Sequence, residues 1–447
     1  MIDVKLIRES PEVIKTSLKS RGGDGKEVDE FLKLDKRWRE LKYDVDSLRS
    51  KRNKLSAQVN EEKKKNKNAD VTGLIKESKE IPSQLESKEN EMKDIEEKRN
   101  LILEEIPNIV DKSVPIGDAS KNRVMETHGK GVQNKNGIGH EELLISLDML
   151  EMDKASKVAG ARFYYLKKDI VKLNIAIIQF ALDFLEKKGF TLVQPPFMLR
   201  KDALKAAIPL GAFEEMIYKI EGEDLYLIGT AEHALNALYT NEVIASKDLP
   251  LRLAGFSPCF RKEAGSHGKD TKGIFRIHQF EKIEQFVFCK PEDSWKEFEN
   301  ILNNSREILK LLGIPFRFVV LASGDMGRVP SKTIDFEGYF PIQGEYKELG
   351  SCSNCTDFQA RRGNIRYDEK GEFKFVNTLN NTAIATERMI VCLVENYQKK
   401  DGSIEIPKVL QKYMGRKVIK AGLLSLEKKV SREIKETKIE RKEVKKK

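Results

Sequence analysis

The 447-residue sequence predicts an α+β protein: an N-terminal antiparallel α-helical coiled-coil arm, then a domain built on a mostly antiparallel β-sheet flanked by helices. Three observations carry that prediction. Apolar residues recur at heptad spacing in two segments on either side of a polar turn. From about residue 141 the pattern changes to short strand-like runs. Ahead of the first of these runs lies "VKLNIAIIQFALDFLEKKG", an amphipathic helix pattern that stops at Lys187, Lys188 and Gly189.

The first heptad segment is Leu34, Trp38, Leu41, Val45, Leu48, Leu55 and Val59, at spacings of 4, 3, 4, 3, 7 and 4, with Arg52 at one seam position. The polar stretch "EEKKKNKNADVTG" supplies a turn. Leu85, Met92, Ile95, Ile102 and Ile106 then resume spacings of 7, 3, 7 and 4. Two such segments around one turn make an antiparallel hairpin at about residues 27–106, within an N-terminal domain 1–112. Helices of about 30 residues would project on the order of 45 Å. Pro82 is expected to kink the second helix or delay its start. Taken alone, such a hairpin reads first as a dimerisation or spacer coiled coil, with a nucleic-acid-binding arm as the alternative. For the latter, Lys51, Arg52, Lys54, Lys63, Lys64, Lys65 and Lys67 cluster at the far end, opposed by Glu61, Glu62 and Asp70.

Composition narrows the class. The chain is 39% hydrophobic and 34% charged, and no apolar run approaches the roughly 20 residues needed to span a bilayer. The start "MIDVKLIRESPEV" has no signal-peptide pattern. Five scattered cysteines do not form a disulfide framework, so a cytoplasmic location is expected. The net charge of +10 suggests a polyanion partner, but residues 428–447 hold ten Lys and Arg against four Glu and so supply +6 of it. This Lys-rich tail, 421–447, is expected to be a solvated helix or disordered, adding nonspecific RNA affinity.

A Pro- and Gly-bearing linker, 113–140, leads into the main domain, 141–420. Its strand-like runs are "FTLVQPPF", "LYLIGT", "LRLAGFSPCF", "FRIHQFEKIEQF" and "FRFVVLA". The stretch "FRKEAGSHGKDTKGIFRIHQFEKIEQF" reads as two strands joined by a Gly-rich loop. In the second strand a period of 2 puts Arg276, Phe280 and Glu284 on one face, alongside His278 and Lys282, and Ile277 and Ile283 on the other. Unpaired charges do not leave water cheaply, so this face is either a solvated strand with cross-strand ion pairs or a ligand platform. A ligand with anionic, flat aromatic and cationic parts would satisfy Arg, Phe and Glu in turn, and ATP plus an amino acid is such a ligand.

The order of that stretch resembles motif 2 of the class II aminoacyl-tRNA synthetases and, in its details, that of the seryl-tRNA synthetase family in its common, non-zinc form. "GFTLVQPPFML" is similar to motif 1, with Pro195 and Pro196 ending a dimer-interface strand. "LIGTAEHAL" resembles the family's Thr-Ala-Glu serine-binding loop. "YKELGSCSNCTDFQARR" and "NTLNNTAIATERMIVCLVENYQ" resemble its metal- and ATP-binding strand and motif 3. The likeness runs from the N-terminus to about Gly415, through "VPIGDASKN" and "KVAGARFYYL", and leaves out the tail.

The resemblance implies a class II catalytic domain on an antiparallel sheet and a homodimeric serine–tRNA ligase. The implied reaction forms seryl-adenylate from L-serine and ATP, then passes the seryl group to the 3′ end of serine tRNA; selenocysteine tRNA is a further substrate of this enzyme type. It implies that Arg261 binds the α-phosphate and the serine carboxylate, a bidentate task. Glu263 would hold the adenine amino group, Arg276 the distal phosphates, and Phe280 would stack on adenine opposite Arg388. Lys262, Ile277, Leu349 and Gly350 fall in the implied ATP site. Glu284, Thr230, Ala231, Glu232, Asn380 and Thr382 would bind serine, and Glu348 with Ser351 a Mg2+ ion. The hairpin would reach the long variable arm of the tRNA; synthetase-like ligases that load carrier proteins lack such an arm.

Where the family usually has a first serine before "SCSN", this chain has Gly350, which fits a close backbone approach or a bulge. "CSNC" (Cys352, Cys355) supplies only two of four tetrahedral ligands and reads as core thiols. His278 fits a supporting hydrogen bond rather than a catalytic base. His267, in the motif 2 loop, would lie near the tRNA acceptor end.

Overall fold

The computed structural model describes residues 1–209, 211, 215–263 and 273–421. His267 and tail residues 422–447 therefore lie outside the described residues. The chain divides into two compact units, Met1–Ile109 and Val110–Lys447.

The first unit comprises α1 (Val4–Glu9), α2 (Pro11–Ser20), α3 (Lys26–Lys65) and α4 (Thr72–Glu105). The two long helices have 40 and 34 residues, more than the heptads alone delimit, and α3 spans roughly 60 Å at the helical rise. Leu41, Val45 and Leu55 of α3 and Leu85 of α4 are buried along the seam, joined by Ile81 and Leu103. Arg52 is exposed. Ion pairs Arg37–Glu91 (2.6 Å), Lys88–Asp44 (2.7 Å) and Arg49–Glu89 (2.7 Å) tie the rims together. Pro82 neither starts nor stops α4. The proline removes one backbone donor, but buried Ile81 and Leu85 flank it on the seam and carry the helix through. Lys51, Arg52, Lys54, Lys63, Lys64 and Lys65 are exposed near the turn, with Lys51 paired to Glu77 (2.6 Å) and Lys65 to Glu61 (2.7 Å).

A buried charge sits at the other end of the arm. Asp35, fully buried, accepts from Arg8 at 2.7 and 2.8 Å and lies 3.2 Å from Arg39 and 3.4 Å from Arg99. The Arg99 guanidinium also lies over the Trp38 ring, 4.5 Å from its centroid. Burial pushes the Asp35 carboxyl up, but the Arg8 hydrogen bond and the charges of Arg8, Arg99 and Arg39 bring it below the usual carboxylate range. Asp35 thus joins α1, α3 and α4. Asp35→Ala leaves three arginines without their shared partner and is expected to cost about 3–5 kcal/mol of arm stability. Urea unfolding followed by Trp38 fluorescence, in a Trp295→Phe background, measures it. Because the folded value is depressed, the wild-type stabilisation is present above the unfolded carboxylate value and is lost as pH falls through the folded one.

The second unit is built on an eight-stranded sheet. Its strands are β1 (Arg123–His128), β2 (Thr191–Val193), β3 (Leu251–Phe260), β4 (Gln279–Cys289), β5 (Phe316–Val320), β6 (Lys332–Phe340), β7 (Glu345–Asn354) and β8 (Asn377–Ala385). The spatial order is β1-β5-β6-β7-β8-β4-β3-β2, antiparallel throughout except for the β2–β3 pair at one edge. The helices used below are α5 (Asp169–Lys187), α6 (Lys201–Ala207), α7 (Ala231–Ala237), α8 (Ser294–Leu312), α9 (Phe358–Gly363) and α10 (Thr386–Tyr397).

Strand β4 begins at Gln279, not at Phe275 as its alternation suggests. The β3 ladder ends where Phe260 pairs with Gln279, so Arg276 and Ile277 precede the strand. Ile283 and Val287 of β4 face the main core with α5, α8 and α10. On the other face Phe286 and Phe288 enter a smaller core with Ala231 and Leu235 of α7, while Phe280, Lys282 and Glu284 line a cavity, Phe280 also packing against the main core. Gly255, paired with Glu284, lets α7 approach: a Cβ there would stand 2.8 Å from Leu235 and 2.9 Å from Ala231. All nine residues of β8 are buried although the strand carries three asparagines.

Candidate active site

An open cavity of about 760 Å³ lies over the uncovered part of the sheet. Its inner end is ionic. Lys282 and Glu284 of β4 form a buried ion pair, and Asn380 and Thr382 of β8 lie beside them. Thr230 caps α7, its hydroxyl accepting from the Glu232 amide at 3.3 Å, and so fixes where the Glu232 side chain starts. The Glu232 carboxylate accepts from Gln359 at 2.7 Å and Asn380 at 3.0 Å. Burial and the neighbouring Glu284 push Glu232 up to about 7. Burial also pushes Glu284 up, opposed by Lys282 and Arg261.

The outer part is lined by cations parked on rings and carboxylates. The Arg261 guanidinium lies 5.2 Å over the Phe280 ring and donates to the Gly229 carbonyl at 3.1 Å. Arg276 pairs with Glu263 at 3.2 Å. Arg388 of α10 lies 5.2 Å over Phe275 and pairs with Glu348 at 3.1 Å, and its charge holds Glu348 below the usual carboxylate range. In this arrangement the cation over Phe280 is Arg261, not Arg388. Asp335, across the β6–β7 ladder, is pushed well up by burial and by Glu348.

Of the residues expected at a ligand site, Thr230, Glu232, Arg261, Glu263, Arg276, Ile277, Phe280, Glu284, Glu348, Leu349, Gly350, Ser351, Asn380, Thr382 and Arg388 line this one cavity. Two do not. The Ala231 methyl is buried in the smaller core, where α7 meets the sheet. Lys262 is exposed, its ammonium 5.8 Å over the Tyr218 ring and its amide donating to the Met216 carbonyl at 2.9 Å. The cavity also includes Phe275, Lys282 and Glu387, which sequence reasoning did not assign. Lys282 shared the alternation of Phe280 and Glu284, so period 2 was the available signal. Glu387 is pushed up to about 7 by burial; it accepts from the Tyr164 hydroxyl, from Thr386 at 2.9 Å and from the Glu281 amide at 3.0 Å.

His278 lies beside the cavity wall and supports Arg261. Its Nδ1 is 2.9 Å from the Arg261 carbonyl, an acceptor, so Nδ1 carries the hydrogen. The Arg261 amide in turn donates to the His278 carbonyl at 2.9 Å. Cys352 is packed in the main core, and Cys355 accepts from Asn380 at 3.5 Å. All five cysteines are free and buried.

Gly350 stands opposite Phe336 beside a β-bulge in which Leu349 is the extra residue. A Cβ at position 350 would stand 2.7 Å from Thr382 Cβ and closer still to the Phe336 ring. Gly350 is therefore the close approach that lets Phe336 fill this space under the cavity. Gly350→Val is expected to destabilise the unit by about 1–3 kcal/mol through overpacking. Urea unfolding checks this, and adding Phe336→Leu should recover part of the loss.

A family model for the class II tRNA synthetase core domain (G, H, P, S and T) matches residues 216–397, which hold the cavity and most of the sheet. The fold is that of a class II synthetase core. A model for the seryl-tRNA synthetase N-terminal domain matches residues 1–110. The chain is 46% identical over 419 residues to a serine–tRNA ligase of Nitrosopumilus maritimus, covering 93% of this chain and 99% of that one. The crystal structure of seryl-tRNA synthetase from Pyrococcus horikoshii complexed with ATP matches with TM-score 0.89 at 44% identity, covering 94% of this chain and 100% of that one. The cytoplasmic serine–tRNA ligase of Naegleria fowleri in complex with AMP matches with TM-score 0.83 at 37% identity, covering 94% of this chain and 99% of the other. The chain belongs to the seryl-tRNA synthetase family.

Proposed function

We propose that this chain is a serine–tRNA ligase that activates L-serine with ATP and esterifies the 3′ end of serine tRNA. The observation that carries the reading is the cavity's division of charge: buried carboxylates at the inner end, three guanidiniums further out. A zwitterion joined to a polyphosphate matches that division. The serine ammonium would meet Glu232 and Glu284, with Thr230, Thr382 and Asn380 on its polar atoms. Arg261, already beside Glu232 and over Phe280, would take the carboxylate and the α-phosphate. Phe280 offers adenine a face, Glu263 an acceptor for its amino group, and Arg276 a charge for the distal phosphates. On ligand entry Arg276 and Arg388 would leave Glu263 and Glu348 for phosphate and adenine.

Glu348 and Ser351 are suited to hold Mg2+, because both present oxygen ligands to the cavity. The ion would supply charge neutralisation on the phosphates. The serine carboxylate attacks the α-phosphorus and pyrophosphate leaves; a ribose hydroxyl of the tRNA then attacks the activated carbonyl, loses its proton, and AMP leaves as the acyl–phosphate bond breaks. Both steps put negative charge on oxygens that Arg261, Arg276 and Arg388 face. No side-chain nucleophile is needed, and positioning supplies much of the rate.

The lysines at the arm's turn are the side chains for the tRNA, at its long variable arm. Exposed Ile175 of α5 and Leu192 of edge strand β2, in the motif 1 region, support a homodimer. Among the described residues no helix is long and apolar enough to cross a membrane, and the buried free thiols fit a cytoplasmic location.

Serine-dependent exchange of pyrophosphate into ATP tests the reading. Exchange with another amino acid but none with serine would overturn it. Glu284→Ala is expected to lower serine-dependent exchange at least about a hundredfold, because it strands Lys282 and removes the ammonium's partner. Deleting the arm should leave exchange intact and abolish charging of serine tRNA.

Glu232 gives a pH signature. With its carboxyl near 7, acidification protonates it and removes a partner of the substrate ammonium. The KM for serine should therefore rise as pH falls through about 7, while Glu232→Gln flattens the dependence at a higher KM.

A further inference from the structure

Gln359 of α9 is fully buried and does not line the cavity, yet it touches the carboxylate at the cavity's inner end. Three contacts determine which way its amide points. The Thr378 hydroxyl donates to Oε1 at 2.7 Å. Nε2 donates to Glu232 Oε1 at 2.7 Å and to the Ala207 carbonyl at 3.2 Å. A flipped amide would set its oxygen against a carboxylate and a carbonyl, two acceptors, and lose both bonds. The Ala207 carbonyl is one of the orphan acceptors at the end of α6, so the same amide caps a helix end.

Glu232 Oε1 also takes the Asn380 amide at 3.0 Å, so both donors converge on one oxygen. Oε2 takes no protein hydrogen bond among the described residues. Asn380 lines the cavity and is within reach of a ligand, whereas Gln359 is sealed behind Glu232. Gln359 is therefore the donor that stays on Glu232 whatever binds.

We propose that Gln359 is the positioning residue of the amino-acid site, holding Glu232 by Oε1 so that Oε2 faces the substrate ammonium. The proposal rests on the serine reading above. The charged groups around Glu232 are Glu284 and Lys282 of β4 and Arg261 after β3; the Cys355 thiol after β7 is also near. Glu284 opposes ionisation of Glu232, while Lys282 and Arg261 favour it. The Gln359 N–H adds to the favourable side, and its removal raises the affinity of Glu232 for a proton.

The test uses the full chain in pyrophosphate exchange, with KM for serine and for ATP measured between about pH 6 and 9. Gln359→Met keeps length and burial but removes the amide. The expected result is a serine KM raised about tenfold or more, an unchanged ATP KM, and a pH limb displaced to higher pH. Thr378→Val keeps the amide but releases its lock, and should move the same quantities in the same direction by less. If Gln359→Met fails to fold, Thr378→Val alone decides. Serine KM and pH limb within twofold of wild type in the variants that fold overturn this proposal alone. An equal rise in both KM values, which general damage would produce, also overturns it. Absence of serine-dependent exchange in the wild-type chain overturns the serine reading and this proposal with it.

Discussion

Glu284, buried, and Glu232, half-buried, sit at one end of a cavity, and their countercharges there are Lys282 and Arg261. This is the constraint to which the rest of the site answers. Desolvated like charges are unfavourable unless hydrogen bonds and countercharges compensate, and here the compensation is divided. Lys282 takes Glu284; neutral amides from Gln359 and Asn380 take one oxygen of Glu232. Under the serine reading, the substrate ammonium would join Lys282 and Arg261 as a further countercharge.

The outer half inverts the sign. Its guanidiniums lie over Phe280 and Phe275 or against Glu263 and Glu348, so none is buried without a partner. These are partnerships of modest strength, because surface-accessible ion pairs contribute little. They hold the arginines near the sheet at low cost, so a bound polyphosphate, as proposed above, could draw them away without a large penalty. Supporting contacts fix the backbone rather than the charge: the His278 imidazole donates to the Arg261 carbonyl, and the Arg261 amide donates to the His278 carbonyl. The binding groups are soft at their tips and stiff at their roots.

Much of this was legible from residue order. The heptad spacings from Leu34 and from Leu85 located both arm helices, because a seam of apolar side chains has one periodic solution. Alternation in β4 singled out Phe280 and Glu284. Other features had no local signal. Strand β8, with Asn377, Asn380 and Asn381, has the composition of a loop, and its burial depends on distant partners such as the Ile301 carbonyl and the Ser305 hydroxyl for Asn381. Asp35 looks like any exposed helix carboxylate until Arg8 and Arg99, far away in sequence, fold onto it. Arg276 appeared to belong to a strand because alternation continues past the point where the neighbouring ladder ends. Periodicity reports what a segment can do; pairing decides how much of it does so.

The glycine at position 350 has a consequence for how this sequence can change. The space that its missing Cβ leaves is taken by the Phe336 ring and by Thr382, a residue of the cavity wall. The two strands therefore share one volume between positions 336 and 350. A descendant that acquires a side chain at 350 before trimming 336 displaces Thr382 on the way. One that trims 336 first passes through a cavity instead. Either order is unfavourable, so positions 336 and 350 are constrained to change together.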